Sequence, residues 1–185
     1  MIKDVIKDLE EKMGKTISVL KEDFNSIRAG KANPQLLDKV VVEYYGSPTP
    51  LKSMASVSAP EPRLLLIQPY DISAMKDIEK AIMIADLGFN PSNDGKIIRI
   101  NVPSPTEERR KDLSKTAKKT GEEAKIALRN ERRSANDLIK KLNKNGEITE
   151  DDVKTAELDV QKLTDKAVKL IDELIEQKEK EIMEV

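Results

Sequence analysis

Three arginines carry the most specific chemistry in this 185-residue sequence. Arg129, Arg132 and Arg133 fall within about one helical turn, because residues three and four apart share a helix face. They sit in a basic run. Residues 109–144 hold 13 Lys/Arg and 5 Asp/Glu, an excess of eight positive charges. Helical spacing keeps these arginines off most of the apolar stripe, together with Lys118, Lys125, Lys140 and Lys144. Such a ridge follows a phosphate backbone, and each guanidinium adds a two-pronged donor for phosphate. A whole helix does not fit the narrow major groove of duplex RNA, so recognition would rest on shape and phosphates. The formal net charge of −1 hides the ridge, because residues 145–185 hold 6 Lys/Arg against 13 Asp/Glu. A second reading therefore stands beside the first: an ordinary solvated face, partly neutralised by the acidic segment.

Other chemistries are bounded more tightly. The chain has no cysteine and no histidine. Disulfides, structural zinc sites and Cys or His nucleophile systems are thereby excluded. No stretch has the ligand spacing of a calcium loop. Glu107, Glu108, Glu122 and Glu123 read as helix-start residues and surface partners, since general acid catalysis needs a pocket that shifts proton affinity. The glycines between 88 and 95 lack the strand–loop–helix context of a nucleotide loop, and no Walker-type sequence is present. Tyr44, Tyr45 and Tyr70 read as core or rim of a small sheet. No apolar run approaches membrane-spanning length, and residues from Lys3 onward mix acids and bases, so a cytoplasmic protein is expected.

Long helices must position the ridge. Residues 2–27 repeat apolar side chains at three- and four-residue steps: Ile6, Leu9, Met13, Ile17 or Thr16, Leu20, Phe24 and Ile27. Gly14 is a minor penalty there. The repeat stops at Arg28-Ala29-Gly30, ahead of Asn33-Pro34, where the proline disfavours helical geometry at its predecessor. A second helix is expected from its cap, Thr106, to about Asn143, roughly 55 Å long. Its inward stripe is Leu113, Ala117, Ala124, Leu128, Ala135, Leu138 and Leu142, with Gly121 a weak spot. Asn145-Gly146 closes it. Thr149 and Asp152 resemble a capping box that opens a third helix to about Ile182. Val153, Val160, Leu163, Ala167, Leu170 and Leu174 form its stripe, with Ile171 beside them.

Between the first two helices the period changes. Residues 37–44 are β-branched and mostly apolar, and residues 44–50 look like a turn or ordered loop. Residues 54–58 alternate weakly, and 63–68 and 96–102 read as strands. A helix is expected over about 74–87, capped by Ser73, with Met75, Ile78, Ile82 and Ala85 inward. Asn93-Asp94-Gly95 is a turn signal. These elements predict an α+β fold. An elongated antiparallel three-helix bundle (1–29 and 106–185) carries an inserted small β/α/β domain (30–105). The outline is L-shaped, with a two-strand hinge, because three matching stripes bury one another only as a bundle.

The chain resembles the bacterial ribosome recycling factor (ribosome-releasing factor) family along most of its length. The matching segments occur in order. They are Ser26-Ile27-Arg28-Ala29-Gly30-Lys31-Ala32-Asn33-Pro34, Tyr44-Tyr45-Gly46-Ser47-Pro48-Thr49-Pro50-Leu51, and Pro91-Ser92-Asn93-Asp94-Gly95 with Ile98-Arg99. Then come Thr106-Glu107-Glu108-Arg109-Arg110-Lys111 and the basic stretch Glu123-Ala124-Lys125, Arg129-Asn130 and Arg132-Arg133.

The resemblance implies a binding protein, not an enzyme, with no cofactor of its own. It implies binding to the post-termination ribosome, mainly to large-subunit rRNA. With elongation factor G and GTP, which that partner uses, the subunits separate and mRNA and deacylated tRNA are released. It implies a monomer that binds neither DNA nor membrane. Carried over for rRNA contact are Arg129, Arg132 and Arg133, with Arg28, Lys31 and Arg110 nearer the hinge. The hinge is carried by 28–34 and 102–106, including Gly30, Asn33, Pro34, Pro103, Pro105 and Thr106. Three positions depart from the family pattern: Lys31 replaces a commoner arginine, Pro105 a leucine, and Glu131 an apolar residue. The alternatives are a helical adaptor and a nonspecific RNA-binding protein.

Overall fold

The computed structural model describes residues 1–27 and 31–184. In chain order the elements are α1 (Ile2–Ser26), a 3-10 turn (Pro34–Leu37), β1 (Val41–Tyr44), β2 (Ser47–Pro50), α2 (Leu51–Met54), β3 (Ala55–Glu61) and β4 (Leu64–Pro69). A second 3-10 turn (Ile72–Ala74), α3 (Met75–Ile84), β5 (Pro91–Asn93), β6 (Ile98–Asn101), α4 (Glu107–Lys144) and α5 (Glu150–Met183) follow. They form two compact units: 1–27 with 107–184, and 31–106. The architecture is α+β, three long helices with an inserted strand-and-helix unit.

In the helical unit each of α1, α4 and α5 packs on the other two. The buried side chains are Leu9, Met13, Leu20 and Phe24 of α1, Leu113, Ala117, Leu128, Ala135 and Ile139 of α4, and Val160, Ala167, Ile171, Ile175 and Ile182 of α5. Fully burying each large aliphatic side chain contributes about 1.5–3 kcal/mol. The stripe differs from expectation where apolar residues come in pairs. Leu138 is 45 % exposed and its neighbour Ile139 is buried. Leu170 likewise yields to Ile171, and Leu163 to Thr164, whose hydroxyl donates to the Val160 carbonyl at 2.8 Å. Neighbours on a helix differ by about 100°, and the partner helix chooses between them.

Gly121 is also not the weak spot it was expected to be. It is buried, and a Cβ there would lie 2.5 Å from Cγ1 of Ile175. The missing side chain is what lets α4 and α5 approach. The turn between them is closed at both ends. Gly146 has φ +76°, its N–H donates to Asn143 and that of Glu147 to Leu142, which is the Schellman pattern. Thr149 Oγ1 then accepts from the Asp152 N–H (3.2 Å), and Asp152 Oδ2 accepts from the Thr149 N–H (3.0 Å), completing the capping box.

In the inserted unit, β3-β4-β6-β5 form an antiparallel sheet in that order, and β1 and β2 form a separate hairpin. Strand alternation turns Leu65 and Ile67 of β4 and Ile98 and Ile100 of β6 into a core with Met75, Ile78 and Ile82 of α3. The stretch 44–50 is therefore a hairpin turn plus strand, with Tyr45 (φ +48°) and Gly46 (φ +76°) in the left-handed conformations such tight turns need. The helix expected over 74–87 spans only Met75–Ile84, and Ala85 is exposed. No side chain caps its start, and in place of the expected Ser73 cap Asp71 caps the 3-10 turn ahead of it. Asp71 Oδ1 accepts from the Ser73 N–H (3.0 Å) and hydroxyl (2.7 Å), and Oδ2 accepts from the Tyr44 hydroxyl (3.0 Å). These donors hold the Asp71 carboxyl below its usual range, the Ser73 hydroxyl most of all.

Candidate nucleic-acid interface

Seven of the 13 cations of α4 fall into two rows. One row faces α5 and recurs every seven residues: Lys118, Lys125 and Arg132. On α5, which runs antiparallel, the acids Glu179, Asp172 and Asp165 recur at the same interval in reverse. Lys118 Nζ lies 3.4 Å from Glu179. Lys125, only 13 % exposed, pairs with Asp172 and lies 3.1 Å from Glu122. Its pKa is held above the usual lysine value mainly by the hydrogen bond to Asp172, against the opposing pull of burial. The third rung differs. Arg132 Nη1 donates to Gln161 Oε1 (3.2 Å), and Gln161 Nε2 donates to Asp165 Oδ1 (2.7 Å).

The other row points to solvent. Arg129, Arg133, Lys140 and Lys144 follow steps of four, seven and four, which keep one face of the helix. All four are exposed, and none has an ion pair or hydrogen bond among the described residues. Unpaired, hydrated cations on a stiff helix are ready to exchange counterions for phosphates. Lys118 and Lys125, which spacing alone grouped with this face, pair with acids of α5 instead, Lys118 at the surface and Lys125 enclosed.

The remaining predicted residues are more scattered. Arg110 lies in the first turns of α4, half-buried and already engaged within the protein. Lys31 is exposed and belongs to the inserted unit. Arg28 and Gly30 lie outside the described residues. Asn33 Oδ1 accepts from the Gln35 N–H at 3.0 Å, and Pro34 opens the 3-10 turn. Pro103 is exposed, Pro105 half-buried and Thr106 exposed but engaged, in a stretch without regular structure before Glu107. Glu131 turns away from the arginines. Its Oε1 accepts from the Thr16 hydroxyl of α1 (2.6 Å), and its Oε2 is buried without a hydrogen-bond partner. Sequence reasoning missed Gln161 and Asp165. Their seven-residue match to α4 is the signal that could have found them.

Among the described residues no cluster of three or more acidic side chains could hold a metal ion, and no helix is long and apolar enough to cross a membrane. Three long helices with an outward cationic row, beside an inserted strand-and-helix unit, define a two-unit α+β protein. The ribosome recycling factor family model matches residues 20–183. The chain is 65 % identical over 182 residues to the ribosome-recycling factor of Alkaliphilus oremlandii, covering 98 % of each. It is 60 % identical to that of Clostridium novyi over the whole of both chains. A solution structure of a ribosome recycling factor superposes with TM-score 0.76 at 40 % identity, covering 100 % of this chain and 98 % of the other. A T. thermophilus ribosome recycling factor, described with E. coli elongation factor G on the E. coli post-termination complex, gives 0.63 at 46 %, covering 98 % of each. The chain belongs to the ribosome recycling factor family.

Proposed function

We propose that the protein binds the post-termination ribosome in the cytoplasm and, with elongation factor G and GTP, drives the subunits apart and frees mRNA and deacylated tRNA. The observation that carries this is identity of 60 % or more to ribosome-recycling factors along essentially the whole chain. The protein acts by binding and displacement, not by catalysing a reaction, and GTP belongs to its partner. The outward row of α4 supplies the grip. Arg129 and Arg133 offer guanidinium forks to large-subunit rRNA phosphates, with Arg132 beside them, and the 38-residue helix spans about 57 Å. Lys31, Arg28 and Arg110 add contacts nearer the chain crossings. Displacement by the GTPase enters through the inserted unit. The crossings at 31–34 and 102–106, each with proline, serve as the joint between the two units.

The test replaces Arg129, Arg132 and Arg133 with alanine. Co-sedimentation with post-termination ribosomes across a salt series should show weaker binding and a shallower salt dependence. Subunit splitting with elongation factor G and GTP should slow in parallel. A folded triple variant that binds and splits like the parent refutes the arginine assignment. Equal affinity for any RNA would instead mark a nonspecific binder.

A further inference from the structure

Resting on the reading of Arg132 as an rRNA contact, we infer that Gln161, oriented by Asp165, is a positioning residue that holds Arg132 ready for phosphate without neutralising it. The inference comes from the third rung of the α4–α5 ladder. At the first two rungs a carboxylate meets the cation directly: Glu179 on Lys118 and Asp172 on Lys125. Lys125 is thereby enclosed, and Lys118 is paired at the surface. At the third rung the carboxylate is present in register, at Asp165, yet no ion pair joins it to Arg132 among the described residues. An amide stands between them.

The amide's orientation follows from the chemistry of its neighbours. A carboxylate only accepts hydrogen bonds, so Asp165 Oδ1 at 2.7 Å must face the Gln161 NH2 group. The Gln161 carbonyl oxygen is then turned toward α4, where it accepts from Arg132 Nη1 at 3.2 Å. A guanidinium has five N–H donors and one is used here, which leaves enough for a two-pronged phosphate contact. Arg132 is half-buried while Arg129 and Arg133 are exposed. It is the arginine of the three whose rotamer the protein fixes in advance. Fixing it before binding removes the entropy loss that a free arginine suffers on docking. A carboxylate at 161 would fix the side chain equally well but would compete with phosphate for it.

The experiment compares Gln161→Ala, Gln161→Glu, Arg132→Ala and the Gln161→Ala/Arg132→Ala double variant in full-length protein. Affinity for post-termination ribosomes and the thermal midpoint are both read. Gln161→Ala should weaken binding by about two- to tenfold, the cost of immobilising one long side chain at docking. Gln161→Glu should weaken it at least as much while the midpoint holds or rises, a split that a merely structural residue would not give. In the Arg132→Ala background the Gln161→Ala change should have no further effect. Full affinity in Gln161→Ala and Gln161→Glu alongside a loss in Arg132→Ala overturns the positioning role. So does an undiminished Gln161→Ala effect when Arg132 is absent. If Arg132→Ala itself binds normally, Arg132 is not a contact, and the proposal fails together with that reading.

Discussion

The seam between α4 and α5 and the seams made by α1 are closed by different means. Along α4–α5, glycine at 121 admits Ile175, and cations and acids alternate across the interface every seven residues. Along α1, grooves of about 440 Å³ against α4 and about 370 Å³ against α5 remain, and a buried Glu131 oxygen there goes unpartnered. The lesson is one of division. The helix that carries the outward cationic row is fastened to its antiparallel neighbour by shape and charge together, whereas α1 is held chiefly by apolar contact.

The sharpest way to break that contrast is at Gly121. Gly121→Val pushes a branched side chain into Ile175 and should destabilise the protein by about 3 kcal/mol in urea unfolding, the upper end for overpacking. A near-neutral result would mean the seam yields. Next comes Glu131→Met, which removes the unpartnered carboxyl oxygen and also the acceptor of the Thr16 hydroxyl, which keeps the Lys12 carbonyl at 3.2 Å; it should stabilise by about 1 kcal/mol. A destabilised variant would show that the Thr16 bond outweighs the unpartnered oxygen. Thr149→Ala removes the cap that starts α5 and should cost about 1 kcal/mol at neutral pH. The other half of the cap, the Asp152 carboxylate on the Thr149 N–H, depends on pH. The Thr149 N–H, with its hydroxyl, holds the Asp152 carboxyl below its ordinary value. The associated stability is present above the ordinary aspartate range and is lost as pH falls through the lowered value. Parent and Asp152→Ala, which lacks the carboxylate, should thus converge in acid, and a constant gap between their neutral and acid unfolding curves would contradict the carboxylate half of the cap. The smallest effect is expected at Gly14, where nothing lies within 4 Å of an added Cβ. Gly14→Ala should stabilise by about 0.5–1 kcal/mol through helix propensity alone. A loss of stability there would mean that α1 is seated as tightly as α5.

The three long helices were legible because their stripes persist for many turns. The exact inward residue was not, wherever Leu138-Ile139 or Leu170-Ile171 offers two apolar neighbours. Periodicity ranks such pairs equally, and only the opposing helix selects. Gly121 was misread for the same reason. Glycine inside a helix is a penalty until a close neighbour makes its bareness useful. In the inserted unit β5 escaped notice because Pro91–Asn93 is short and opens on proline, and the α3 cap was misplaced because Asp71 caps an intervening 3-10 turn. At the candidate interface the clustering of basic residues could be read from one strand of sequence. Their sorting into paired and unpaired rows could not, since Arg132 meets Gln161 29 residues away.

The basic segment on α4 and the acidic segment reaching along α5 differ in sign and lie side by side, so the pair carries a dipole across its long axis. Near a polyanion such a body feels a torque as well as a pull. It rolls until the α4 flank leads, within roughly the 8 Å over which charges are felt at physiological ionic strength. Any polyanion that approaches the pair therefore meets a body already turned to it before contact.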